Sequence, residues 1–141
     1  ALKLVAGGEA VPPQRACSAK VARQVRRLME DVTFGDGTGI QAAVPGYRVA
    51  GKTGTVRKHT TGGYFEDRHQ SVFIGMVPAE NPRLVGLVMI DEPKGKEYYG
   101  GQVAGPVFSR VMQSAVRQLQ LAPDGTPLTN TAAHAVEGPR T

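Results

Sequence analysis

Lys52-Thr53-Gly54-Thr55 set a cation, two hydroxyls and a glycine in four consecutive residues. They follow Tyr47-Arg48-Val49-Ala50-Gly51, a stretch that reads as a strand. Such a set at a strand end makes a short edge suited to gripping a carboxylate. The ammonium supplies charge and the hydroxyls supply donors. A grip of this kind serves acyl transfer only beside a nucleophile. Serines stand at Ser18, Ser71, Ser109 and Ser114, and none belongs to an S-x-x-K or S-x-N pattern. Ser18-Ala19-Lys20 places its lysine one residue too close. Either the four residues match by coincidence, or the nucleophile lies in polypeptide outside this sequence.

The elements that must position this edge follow from periodicity. Ser18 is a helix cap, and Val21, Val25, Leu28, Met29 and Val32 recur at helical spacing to about residue 32. Lys20, Arg23, Arg26 and Arg27 load the other face, with Arg26 spaced to pair with Glu30. Residues 34–46 read as a loop with Gly35, Gly37, Gly39 and Pro45. Gly37-Thr38-Gly39 lacks the Lys-Ser/Thr that would make it a phosphate loop. Three strands follow, at 47–56, 71–77 and 84–91, the last two close enough for a hairpin. Residues 57–70 between the first two read as a polar loop. The third strand is nearly all apolar and is expected to be buried on both faces. Pro106 opens a last helix whose broad apolar face carries Val107, Phe108, Val111, Met112, Ala115, Val116 and Leu119. Pro123 ends it, and residues 122–141 read as a flexible tail. The order gives an α+β fold, an antiparallel sheet packed by helices on one side. Its third strand is thinly covered by this chain alone, a sign that further polypeptide completes the fold.

Composition narrows the function. With 141 residues, 40% hydrophobic and 21% charged, the chain is of globular type and one domain in size. The net charge of +5 permits an anionic partner without demanding one. Four Phe, four Tyr and no Trp leave little for a base-stacking platform, so nucleic acid is not expected as a partner. Cys17 is alone, which excludes an internal disulfide. His59, His69 and His134 lack metal-ligand spacing, and no metal or cofactor is expected. No apolar run reaches the ~20 residues of a membrane span, so any anchor is expected outside these residues.

Several blocks share one order. Val44-Pro45-Gly46-Tyr47-Arg48-Val49-Ala50-Gly51-Lys52-Thr53-Gly54-Thr55-Val56-Arg57-Lys58 comes first. Ser71-Val72-Phe73-Ile74-Gly75-Met76-Val77-Pro78-Ala79 and Ile90-Asp91-Glu92-Pro93 follow. Tyr98-Tyr99-Gly100-Gly101 and Ala104-Gly105-Pro106-Val107-Phe108 complete the set. Over roughly four fifths of its length the chain resembles the C-terminal part of the transpeptidase domain of class B penicillin-binding proteins. Among these it is most similar to the division-specific D,D-transpeptidases, the penicillin-binding protein 3 type. K-T-G is the third motif of that group. Its S-x-x-K and S-x-N motifs lie upstream of the part matched here.

The resemblance implies a serine D,D-transpeptidase that cross-links peptidoglycan stem peptides and is acylated by β-lactams. Lys52 and Thr55 are the implied catalytic residues of this chain. Lys52 places an ammonium near the substrate carboxylate, and the Thr55 backbone N–H faces the developing oxyanion. Thr53, Gly54, Thr55, Arg57, Tyr98 and Tyr99 are the implied substrate-binding residues. Thr53 and Thr55 donate hydroxyls, Gly54 lets substrate backbone lie along the strand, and Arg57 adds positive potential. Tyr98 and Tyr99 wall the cleft, with Gly100 and Gly101 setting the flexibility of their loop. The implied partners are the N-terminal remainder of the same domain, a division glycosyltransferase and other divisome proteins. The implied location is the periplasmic face of the inner membrane. Two alternatives stay open: a non-catalytic β-lactam-sensing or binding module of the same fold, and a small basic nucleic-acid-binding domain.

Overall fold

A computed structural model describes residues 14–60 and 63–125. Helix α1, Ala19–Glu30, starts where expected, with the Val21 N–H donating to Ser18 Oγ at 3.2 Å. A 3-10 turn, Asp31–Thr33, and a second, Ile40–Ala42, carry the chain to β1, Ala50–Thr60. β1, β2 (Gly63–Val77) and β3 (Leu84–Asp91) form one antiparallel sheet in the order β1-β2-β3. A one-turn helix α2, Gly100–Val103, and the long α3, Gly105–Gln118, complete the fold.

One face of the sheet is closed by a trough of glycines. Gly51, Gly75 and Gly86 stand in one row across the three strands. A Cβ on Gly75 would lie 2.8 Å from Phe108 Cζ, and one on Gly86 would overlap Met112 Cε. The bare backbone lets α3 sit low, with Phe108, Met112 and Val116 buried beneath it. Phe73 and Phe108 meet with ring centroids 4.8 Å apart at 59°, the tilted geometry aromatic pairs prefer. The apolar stripe read for the last helix is thus the stripe that packs, though Val111 and Leu119 stay exposed.

Five expectations need correction. The strands are longer than read: β1 starts at Ala50 and runs to Thr60, and β2 starts at Gly63. The polar "loop" 57–70 is mostly an antiparallel ribbon, with a register shift between Arg57 and His59. Its polar residues gave no hydrophobic alternation by which to read it as strand. β3 is not buried on both faces: Val85, Leu87 and Met89 are 67%, 58% and 52% exposed, while the residues between them are half-buried. Nor does α1 bury a residue in the core; Val21, Val25 and Leu28 are exposed. Glu30 pairs with Arg48 instead of Arg26, in a two-point contact at 2.8 and 3.0 Å. That contact staples α1 to the chain entering β1, while Arg26 reaches the Glu80 carbonyl at 2.7 Å.

The start of the expected tail is held in place. Asp124 accepts from the backbone N–H groups of Arg48 and Glu80 at 2.8 and 3.2 Å. Gly125 donates to the Gly46 carbonyl at 3.1 Å, and the Tyr47 hydroxyl to the Leu121 carbonyl at 2.6 Å. The rest of the expected tail, 126–141, lies outside the described residues. Among the described residues no helix is long and apolar enough to cross a membrane.

Candidate active site

Side chains alternate along a strand, so β1 divides its four central residues between the two faces. Lys52 stands in a row with Ile74 and Leu87, and Gly54 in a row with Val72 and Met89, on the open apolar face. Thr53 and Thr55 stand in rows with Phe73 and Ser71, on the side closed by α3. No strand pairs with the other side of β1 among the described residues. A ligand lying along that edge therefore meets Lys52 from one face and the two threonines from the other.

Each side chain is already oriented. Lys52 Nζ donates to the Thr53 carbonyl at 2.8 Å. Thr53 Oγ1 and Thr38 Oγ1 share a hydrogen bond of 3.1 Å. The Gly100 N–H donates to Thr55 Oγ1 at 3.1 Å, which leaves the Thr55 hydroxyl its own proton to donate. Beside them lies a cleft of about 360 Å³ lined by Thr38, Gln41, Thr53, Thr55, Tyr99 and Gln102, among others. A Cβ on Gly54 would sit 3.6 Å from Val72 Cβ, an ordinary contact. The described packing does not require a glycine there.

Gly100 and Gly101 do not act as a flexible hinge. Both are buried, and a Cβ on Gly100 would overlap the Gly54 and Val72 carbonyl oxygens. One on Gly101 would overlap the Thr38 carbonyl oxygen. Their lack of side chains presses the turn against the β1–β2 ladder and the Thr38 loop.

Tyr98 and Tyr99 part company. Tyr99 lines the cleft beside the threonines, while Tyr98 turns into a neighbouring groove with Arg57, Arg68, His69 and Lys94. The Tyr98 ring stacks on His69 at 4.3 Å and 19°, and its hydroxyl donates to that of Tyr99 at 3.3 Å. That hydrogen bond is the first cause holding the Tyr98 phenol above its ordinary pKa. Of the predicted residues, the structure groups Thr53, Thr55 and Tyr99 around one cleft and Arg57 with Tyr98 around the other. Lys58, next to Arg57, bridges Asp91 and Glu92 at 2.9 Å each and ties the ribbon to the end of β3. Its hydrogen bonds hold both carboxyls below their usual range. A third concavity, of about 560 Å³ by Phe34, Tyr47 and Arg48, holds none of the predicted site residues.

Sequence reasoning passed over Thr38, Ser71 and the Gly100 amide. Thr38 sits in a glycine loop dismissed for want of a phosphate motif. Ser71 faces Thr55 across the ladder, is fully buried, and donates its hydroxyl to the Tyr98 carbonyl. Strand pairing carries the signal for Ser71; nothing local marks Thr38. Among the described residues no group of His, Cys, Asp and Glu is placed to hold a metal ion.

Residues 4–113 match the family model described as the penicillin-binding protein transpeptidase domain. The chain is 48% identical over 126 residues to the probable peptidoglycan D,D-transpeptidase PenA of Neisseria flavescens, covering 88% of this chain and 31% of that protein. Against the protein of that name from Neisseria gonorrhoeae it is 46% identical, covering 88% and 22%. The transpeptidase domain of Burkholderia pseudomallei penicillin-binding protein 3 superposes with a TM-score of 0.69 at 44% identity, covering 76% of this chain and 32% of that one. Penicillin-binding protein 3 from Mycobacterium tuberculosis, complexed with ampicillin, gives 0.72 at 32% identity, covering 92% and 31%. The chain spans about a third of these relatives or less. Family model, sequence identity and superposition agree: this chain belongs to the penicillin-binding protein transpeptidase family.

Proposed function

We propose that this chain is the C-terminal part of the catalytic domain of a serine D,D-transpeptidase, one that cross-links peptidoglycan stem peptides and is acylated by β-lactams. The observation that carries the reading is Lys52-Thr53-Gly54-Thr55 on an unpaired strand edge beside a cleft, with a glycine that the described packing does not require. Gly54 leaves room for a backbone from outside to lie along β1. Lys52 and the Thr53 and Thr55 hydroxyls bind the substrate's terminal carboxylate, and the Thr55 N–H stabilises the oxyanion of the tetrahedral intermediate. An ammonium ~4 Å from a carboxylate at an effective dielectric near 20 contributes on the order of 4 kcal/mol. Arg57 adds positive potential from the next groove, Tyr99 walls the cleft, and Tyr98 supports Tyr99 from behind.

The serine nucleophile comes from the N-terminal remainder of the same domain, the obligatory partner. That remainder docks on the open face of the sheet. Val72, Ile74, Val85, Leu87 and Met89 are the apolar surface there, and Lys52 stands at its margin. This docking brings the nucleophile to the same face as the Lys52 ammonium. In the whole protein an anchor on the periplasmic face of the inner membrane, a division glycosyltransferase and other divisome partners complete the assignment. The test is acylation of the intact transpeptidase by a fluorescent penicillin. Lys52→Ala and Thr55→Ala should each slow it at least about tenfold; wild-type rates in both would remove the clamp.

A further inference from the structure

Ser71 and the Tyr98–Gly100 turn form a chain of contacts that ends on the Thr55 hydroxyl. Ser71 is directly opposite Thr55 in the ladder and fully buried. Its hydroxyl donates to the Tyr98 carbonyl, and two residues on the Gly100 N–H donates to Thr55 Oγ1. The ring of the same tyrosine stacks on His69, the next residue of β2 on that face. Tyr98 is therefore fastened twice to β2, by ring and by carbonyl, and Gly100 is wedged without a side chain against Gly54 and Val72. The turn has little freedom to carry its N–H elsewhere.

A threonine hydroxyl has one proton and two lone pairs. With Gly100 donating into a lone pair, the proton must point away from that N–H. Without the Gly100 contact, the hydroxyl would rotate freely and spend part of its time donating into its own protein. We propose that Ser71 is a positioning residue for carboxylate recognition: by anchoring the Tyr98 carbonyl it holds the Gly100 N–H on Thr55 and commits the Thr55 hydroxyl to donate into the cleft. This inference rests on the reading of Thr55 as a donor to the substrate carboxylate. A serine acting two hydrogen bonds removed from Thr55 leaves no mark in a motif search, because it works through backbone groups of another element.

The experiment is a double-mutant cycle in the intact transpeptidase, read as the second-order rate constant of acylation by benzylpenicillin. Ser71→Ala should lower that constant about fivefold to tenfold, the size of one ordinary hydrogen bond. Thr55→Val keeps the shape and removes the hydroxyl. In that background Ser71→Ala should cost nothing further, because the group it positions is gone. Ser71→Cys fills nearly the same volume with a weak donor and should behave like Ser71→Ala. Equal losses from Ser71→Ala in both backgrounds, or wild-type rates in Ser71→Cys, would show that Ser71 acts by packing alone and overturn the inference. A Thr55→Val variant acylated at the wild-type rate would overturn the clamp itself, an outcome told apart by the single variant. Absence of acylation in the wild-type protein would sink the transpeptidase reading before either.

Discussion

The two faces of this sheet contrast. Toward α3, Gly51, Gly75 and Gly86 clear a trough that Phe108 and Met112 fill, and the layer is closed by residues of this chain. On the other face Val85, Leu87 and Met89 are as apolar as any core row, yet exposed. Exposed apolar area of this kind marks a surface that another body covers. The closed face is a finished core. The open face is left uncovered by the described residues, and Lys52 of the proposed clamp stands on it. In the proposed reading the site is completed by the same event that completes the core.

Substitutions on the two faces should behave differently. Phe108→Ala empties a fully buried aromatic site and should cost about 3–5 kcal/mol in urea unfolding of the intact protein. Leu87→Gln should cost about 2 kcal/mol there but stay within about 0.5 kcal/mol in the 141-residue chain. Equal costs in the two lengths would end the contrast between the faces. Glu30→Gln breaks the two-point contact to Arg48, half-exposed and outside both faces, and should cost about 1 kcal/mol without changing acylation.

The smallest effect concerns the ribbon. Lys58 depresses the pKa of Asp91 and Glu92 through hydrogen bonds, so their contribution is present above the ordinary carboxylate values of 3.8 and 4.5. It is lost as pH falls through the depressed folded values, when protonation of the carboxyls frees Lys58. Hydrogen-exchange protection at residues 57–59 should therefore decline below about pH 4, ahead of the core strands. Lys58→Met should remove that pH dependence. Loss of protection only together with β2 would show that the ribbon has no separate stability.

Much of the closed face was legible in the sequence. The last helix declared itself through Phe108, Met112 and Val116 at helical spacing, and Ser18 marked the start of α1. The hairpin of β2 and β3 followed from apolar runs around a short connection. The ribbon was not legible, because its sequence is mostly polar, Tyr64 and Phe65 are adjacent, and no period-two alternation of apolar residues runs through it. β3 misled for the converse reason. Its apolar run is consistent with burial on two faces, but a sequence does not say which polypeptide does the burying. At the site, K-T-G and the blocks around it were plain to read. The ties that orient it, Thr38 to Thr53 and Gly100 to Thr55, join residues 15 and 45 positions apart and leave no local pattern. Tyr98 and Tyr99, adjacent in sequence, were read as one wall and face two concavities.

β3 carries one more implication, for anyone producing this chain alone. It is the last strand of the described sheet, so an unpaired backbone edge and an uncovered apolar row sit on one element. Those are the ingredients of edge-to-edge self-association. At high concentration, copies lacking the rest of the domain should therefore self-associate and separate again on dilution, and a charge at Leu87 should be the simplest way to keep them apart.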